Sequence, residues 1–258
     1  DPDFPNGATI AMYMDTYFMV NVPDSFTFQW SGQNDGTSWD ALDFASAEGS
    51  PDYITAGSIV NREIWWFGPQ TKEVWTSTGT DTVFERVTGG FSDQGCVANA
   101  AITLADNTCF WLGHDKNGSA MIFRGRGLSG ARISTPAIEW QISTYSNIAD
   151  CVAWAMQMDG HTFIVFDFPT AQKTWCYDVS TNAWNRLASL KDDGTFGPYR
   201  ARFHVYFEGK HLVGDTTSGR IMEMSMDVYD EMGEPMKFVR SWRQPNQEKK
   251  LQRIKFLN

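Results

Sequence analysis

The sequence predicts an all-β, β-propeller-like chain of about five four-stranded blades, open to being part of a larger propeller, and three observations carry that expectation. Strand-breaking pairs follow apolar runs at Asp15-Thr16, Asn61-Arg62, Asp106-Asn107, Asp159-Gly160 and Glu208-Gly209, at steps of 46, 45, 53 and 49 residues. Seven to ten residues further on comes a second turn, at Pro23-Asp24, Gly68-Pro69, Lys116-Asn117, Pro169-Thr170 and Thr217-Ser218-Gly219. No segment longer than about ten residues has a 3.6-residue apolar period, so little helix is expected.

Each element of the repeat follows from its residues. Between the two turns lies a short apolar run: Tyr17 to Val22, Ile64 to Phe67, Cys109 to Leu112, Thr162 to Phe168, and the weaker Leu212-Val213. After the second turn the strands Phe26 to Trp30, Glu73 to Thr76, Ala120 to Phe123, Thr174 to Val179 and Ile221 to Met226 are expected. A third turn leads to an outer strand carrying Trp39, Phe84, Trp140, Trp184 or Phe238. In the fourth unit, Phe163 to Phe166 is apolar at every position, as a strand covered on both faces should be. Next, Trp175, Tyr177 and Val179 share one face, with Cys176 and Asp178 on the other. The 11 tryptophans are spread over all five units, which favours core packing over a single aromatic site. Trp65-Trp66 is the expected exception, because adjacent strand residues face opposite ways and one of them should be exposed.

Composition bounds the function classes. The 258 residues are 42% apolar and 20% charged, values that fit a globular core and argue against disorder. No apolar run approaches the roughly 18 to 20 residues of a spanning helix. Acids outnumber bases 31 to 21, for a net charge of −10. Seven of those bases (Lys237, Arg240, Arg243, Lys249, Lys250, Arg253, Lys255) and one acid, Glu248, lie beyond residue 236, leaving 30 acids and 14 bases before it, a net of −16. Such a body repels a phosphate backbone, which excludes nucleic-acid binding through a broad basic surface, and no sequence-specific nucleic-acid binding is expected. Cys96, Cys109, Cys151 and Cys176 include no close pair, so buried, reduced thiols are expected, with one bridge between distant strands left open. Residues 1–243 are assigned to the propeller. Residues 244–258, where Ile254 and Phe256 alternate with Arg253 and Lys255, are assigned to the start of a further, truncated β-rich segment. The start at Asp1, without a methionine or a signal-peptide pattern, adds the expectation of a piece of a longer protein.

The chemistry-bearing residues form no catalytic pattern, and no catalytic, cofactor-binding or metal-binding residue is assigned. Asp35-Gly36-Thr37-Ser38-Trp39 resembles the Asp-box turn of sialidase propellers with a different Asp-to-Trp spacing, and that turn is a structural hairpin. Arg124, Arg126 and Arg132 make a weak candidate cluster for a substrate carboxylate, better read as solvated charges on a connecting segment. For His114, His161, His204 and His211 no metal-ligand spacing emerges. A two-residue turn at Glu208-Gly209 sets Tyr206 opposite His211 and His204 opposite Val213, so the last two histidines should not pair across the ladder. Gly125 to Gly130 spells G-x-G-x-x-G but opens no helix, which reads as a loop between strands. Met222, Met224 and Met226 alternate on one face, as core filling or as a partner-binding face.

Several stretches resemble the packaged-DNA stabilisation proteins of short-tailed bacteriophages, also called tail hub or head-completion proteins. They are Asp159-Gly160-His161-Thr162-Phe163, Phe168-Pro169-Thr170-Ala171, Thr174 to Val179, Val213-Gly214-Asp215 before Ser218-Gly219-Arg220-Ile221, and Asp227-Val228-Tyr229 leading to Gly233-Glu234-Pro235. Upstream, Gly57 to Val60 and Ile64 to Gly68 also suit the family, and the likeness runs from about Asp24 to Lys255. The resemblance implies a virion component without catalysis or cofactor. It would assemble with itself as a hexameric ring below the portal and its adaptor, help retain DNA, and dock a tail needle and tailspikes. It also implies placement in the tail, after assembly in the host cytoplasm. Two rivals stay open: a kelch-like adaptor propeller, although Gly89-Gly90 is the one double glycine of that kind, and a propeller glycosidase.

Overall fold

The computed structural model describes residues 1–50, 52–114 and 117–240. Five antiparallel sheets succeed one another along the chain, four of them four-stranded. Sheet one comprises β1 (Ala11–Met14), β2 (Tyr17–Asn21), β3 (Thr27–Gly32) and β4 (Asp35–Ser46). Sheet two comprises β5 (Ala56–Val60), β6 (Glu63–Phe67), β7 (Lys72–Ser77) and β8 (Phe84–Arg86). Sheet three comprises β9 (Ile102–Ala105), β10 (Thr108–His114), β11 (Ala120–Arg126) and β12 (Ser129–Arg132). After the helix α1 (Pro136–Ser143), sheet four comprises β13 (Val152–Met158), β14 (His161–Phe168), β15 (Lys173–Asp178) and β16 (Ala183–Leu187). Sheet five comprises β17 (Ala201–Phe207), β18 (Lys210–Asp215) and β19 (Ile221–Met224), and is followed by a short hairpin of β20 (Asp230–Glu231) and β21 (Glu234–Pro235).

The five repeated turns are the first hairpin of every sheet, with both central residues at positive φ: Asp15 49° and Thr16 77°, Asn61 49° and Arg62 66°, Asp106 49° and Asn107 54°, Asp159 50° and Gly160 78°, Glu208 47° and Gly209 79°. Two-residue loops of this type match the right-handed twist of the strands they join, so they set register as well as direction. The first strands then pack on one another in the order β1, β5, β9, β13, β17, which places them innermost in an arc of blades. No comparable packing joins β17 back to β1.

The core lies between blades. Phe28 and Trp30 of sheet one meet Ile64, Trp66 and Trp75 of sheet two, with Phe28 and Trp66 stacked at 5.0 Å. On the other face of sheet two, Trp65 and Phe67 meet Trp111 of sheet three, and this cluster runs on through Ile122, Ile164 and Phe166 to Tyr177. Trp154, Val165 and Cys176 form a smaller cluster with Tyr199, on the way to sheet five. All four cysteines are buried free thiols, and burial pushes Cys96, Cys109 and Cys176 up to about 12.

Four expectations are corrected. Trp65 and Trp66 are both 1% exposed, because β6 lies between two sheets and each ring fills a different core. Trp140 is not on an outer strand: it lies on α1, mostly exposed, while Ile138 and Ile142 anchor the helix in the core, and β12 is the outer strand of sheet three. Phe238 is exposed and lies in no strand, so sheet five has three strands among the described residues. The glycine-rich stretch is a tight hairpin of β11 and β12 turning at Gly127-Leu128, not a loose loop. Lys116 and the segment from Arg243 through Lys255 lie outside the described residues.

Candidate interaction surfaces

The inner strands β1, β5, β9, β13 and β17 contain no carboxylate. Four acids stand at the turns joining them to their neighbours: Asp15, Asp106, Asp159 and Glu208. These turns also tie adjacent blades together. Arg62 of the second turn reaches Asp15 of the first at 2.6 Å, and Asn61 Nδ2 donates to the Asn107 carbonyl at 3.1 Å. Asp106 is engaged by Arg124 of its own sheet, whereas Asp159 and Glu208 are exposed. Two of these four carboxylates are thus paired with arginines, and the negative charge of the rim rests on Asp159 and Glu208. A shallow depression of about 460 Å³ lies among Ile10, Gly57, Ser58, Asn99, Ile102 and Thr103 at the inner end of the first three sheets.

Polar bonds fix the blades to one another. Lys72 is fully buried; its Nζ donates to the Leu128 carbonyl at 2.6 Å and sits 4.2 Å from the Trp65 ring centroid, and burial pushes it down to about 8. Trp184 Nε1 donates to Ile133 O at 2.9 Å. Between sheets four and five, Arg202 binds the buried Asp167 carboxylate, which also accepts from Thr174 Oγ1 at 2.9 Å. Within sheet five, Arg200 pairs with Asp215 at 2.6 Å, and Thr217 and Ser218 donate to the same carboxylate. Arg200 first, and these hydroxyls after it, hold Asp215 far below the usual carboxylate range.

The two ends of the arc differ. The face of sheet one turned away from sheet two is covered by the first residues of the chain. Phe4 meets Trp39 edge-on at 5.0 Å, Gln29 Nε2 donates to Asp3 O at 3.2 Å, and the Trp39 amide donates to Asp1 Oδ2 at 3.1 Å. Beneath that cover Val20, Gln29, Ser31 and Trp39 are buried. Sheet five has no such cover among the described residues. The register places Val205 with Leu212 and Glu223, Phe207 with Lys210, and Ile221 with Gly214 on the face opposite to Val213, which is buried toward sheet four. On that open face Val205, Phe207 and Ile221 are 55%, 58% and 76% exposed, and Phe203, at a bulge with φ 56°, is 60% exposed. This face escaped the sequence reading, although β17 carries the signal: four of its seven residues are Phe, Val, Tyr or Phe on both alternations.

The sequence candidates are distributed as follows. Arg124 is spent on Asp106 and Arg132 on Glu139, while Arg126 is exposed at the hairpin, so the three do not converge on one anion. In the Asp-box-like turn, the Thr37 amide and hydroxyl both bond Asp35 Oδ1, and Trp39 Nε1 donates to Gly36 O, which is turn chemistry. The same Asp-x-Thr clasp recurs at Asp193 with Thr195 and at Asp215 with Thr217. Met222 and Met224 are half-buried and Met226 is exposed. His161 Nδ1 lies 2.8 Å from Asp178 Oδ2 and its ring stacks on Phe163. His204 and His211 follow the expected register but do meet, with Nε2 to Nδ1 at 2.9 Å and rings stacked at 5.1 Å. They are diagonal neighbours on one face, a geometry that aromatic rings can span. His114 is half-buried at the end of β10, and no group of three or more metal-type ligands occurs among the described residues.

Comparison with known proteins gives one family and several distant folds. A family model described as bacteriophage P22 Gp10, β-propeller, matches residues 1–229. No curated protein sequence matches the chain. Among solved structures, the extracellular domain of a one component system from B. thetaiotaomicron is similar at 10% identity and a TM-score of 0.46, covering 91% of this chain and 31% of its own. Dihydro-heme d1 dehydrogenase NirN in complex with DHE is similar at 12% identity and a TM-score of 0.46, covering 82% of this chain and 43% of its own. The AfRom2 CNH domain is similar at 9% identity and a TM-score of 0.42, covering 84% and 70%. The chain thus spans under half the length of the first two.

Proposed function

The chain belongs to the phage stabilisation family described as bacteriophage P22 Gp10, β-propeller, and on that premise we propose that it closes the portal channel after packaging, retains the DNA and docks other tail components. Membership gives the coarse role: a structural protein of a bacteriophage, carried in the virion. The finer reading assigns it a place in the tail hub, as copies of itself in a hexameric ring beside the portal adaptor, the tail needle and the tailspikes.

The observation that carries the finer reading is the charge distribution. A body of net −16 before residue 237, with exposed carboxylates on the turns around carboxylate-free inner strands, repels a phosphate backbone. A component of that charge holds DNA by obstructing its exit, not by gripping it, and an exit that does not bind DNA does not slow ejection. Blades tied by Arg62–Asp15, Lys72–Leu128 and Arg202–Asp167 supply the stiffness that a steric closure needs. Ring symmetry then multiplies weak contacts between copies.

The test is the particle. Phage assembled without this protein should package DNA and then lose it, and an image of intact virions should place the chain at the tail vertex, next to the portal. Particles that keep their DNA in its absence overturn the reading. So does tight, salt-dependent binding of the isolated protein to DNA.

A further inference from the structure

We propose that the outer strand of sheet one, β4, is the docking edge for an extended, basic strand of a partner protein, a surface defined by this chain alone and independent of its place in the particle. The outer strands of the other four-stranded sheets are short: β8, β12 and β16 have three, four and five residues, and each carries an arginine. Short length and charge are the usual protections of an exposed edge. β4 has twelve residues and contains no lysine, arginine or proline. Its pairing with β3 shifts register around Ser31, and beyond that irregularity it runs evenly, Phe44 with Gln29, Ala45 with Phe28 and Ser46 with Thr27. Just past its end, the Ala47 amide donates to Phe26 O at 2.9 Å. By alternation Ala45 also faces β3, so Phe44 and Ser46 turn their amides outward, where a further ladder can form.

Side chains and charge define the occupant. Leu42 and Phe44 are 81% and 48% exposed beside an edge that pairs with no further strand among the described residues. Residues 1–61 contain nine acids and no lysine or arginine. Arg62, the first base, is spent on Asp15. On β4 itself, Asp35 is held by Thr37 and Asp40 Oδ1 accepts from the Leu42 amide. No base pairs with Asp40 or Asp43 among the described residues. Asp43 lies above its ordinary value, through burial first and then the charge of Asp40, so this strand carries two carboxylates that repel each other. A strand added about 4.8 Å away brings lysine or arginine side chains within reach of both, while its apolar residues cover Leu42 and Phe44. In this mode main-chain hydrogen bonds supply affinity and the alternating side chains supply selectivity. An acidic segment fails on charge, and a proline-rich one lacks the donors.

The test titrates the full chain with two short synthetic peptides of equal length and charge, one alternating lysine with valine and the other lysine with proline, which removes every second main-chain donor. The lysine–valine peptide should bind at least tenfold more tightly, and less tightly as salt is raised. In amide exchange it should slow Phe44 and Ser46 and leave β8, β12 and β16 unchanged. Asp43→Lys puts a base on the edge and should weaken the lysine–valine peptide at least tenfold. Equal affinity of the two peptides for the unaltered chain overturns the proposal, since charge alone would then account for binding. Protection that appears on another outer strand overturns it too, as does lysine–valine binding indifferent to Asp43→Lys.

Discussion

Sheet one and sheet five stand at the two ends of the same arc, are built on the same first hairpin, and are buried very differently. Sheet one has a packed interface on one side, with Phe28 fully buried against Trp66, and a covered face on the other. Sheet five is attached through Val213, Ala201 and the Arg202–Asp167 pair, and presents Val205, Phe207 and Ile221 to solvent. Repeating turns thus fix the shape of each blade, while neighbours decide how much that blade adds to stability. In repeat architectures stability is close to a sum of unit terms and nearest-neighbour terms, and the unit with one neighbour is the weak one.

The comparison can be broken from its strong side first. Phe28→Ala empties the sheet one–two core and should cost about 3–5 kcal/mol in denaturant unfolding. A loss under about 1 kcal/mol would mean that the end sheets are equally loose. Acid sharpens the contrast. His204 lies below its ordinary value because of burial and then the neighbouring His211. Its contribution is therefore complete above about pH 6.5 and is lost as pH falls through the lower folded value. Asp215 is also depressed, so its contribution is complete above about pH 4 and is lost only in strong acid. Both groups belong to sheet five, whereas the cluster around Phe28 is apolar. Amide exchange should therefore show sheet five loosening in two steps on acidification while sheet one stays protected, and uniform loss across the sheets would contradict this.

Smaller changes probe the covered face and the turn. Phe4→Ala removes the edge-on contact with Trp39 and should cost about 1 kcal/mol, read as a lower unfolding midpoint and stronger quenching of the tryptophan emission by iodide. Thr16→Gly should act in the opposite direction. A β-branched residue at φ 77° is strained, and its hydroxyl is buried without a partner, so glycine should raise stability by about 1 kcal/mol. At the low end, Phe207→Ser on the open face should change unfolding by under about 0.5 kcal/mol. A larger effect would mean that Phe207 is covered in solution.

Most of the architecture was legible because its determinants are local. Turn pairs such as Asn61-Arg62 and Asp159-Gly160 write the period directly, and all five proved to be first hairpins. The unbroken run from Phe163 to Phe166 was readable as a strand between two layers, and Ile64-Trp65-Trp66-Phe67 carries the same signature, which corrects the expectation that one tryptophan is exposed. The helix was less visible. Eight residues are too few for a period, and what marked it was Pro136 at its first turn with Glu139 close behind. The candidate surfaces were the least legible. Whether Val205 or Phe207 is covered depends on the neighbour of sheet five, and no residue within the strand states which neighbour that is. The contact of His204 with His211 is of the same kind: pairing rules placed each opposite the right residue, but the diagonal approach depends on ring size and twist.

One property of the topology bears on how the molecule is made. Among the described residues, each sheet strand pairs only with strands adjacent to it in sequence. An all-β protein of this size usually folds slowly because distant segments must find one another, but here the chain closures within a blade are short. A blade can therefore form as soon as its own few dozen residues leave the ribosome, and each new one docks on a finished predecessor. The apolar side awaiting a neighbour is then always at the growing end of the nascent chain, one sheet at a time, and the time for which it stays bare is set by the speed of translation.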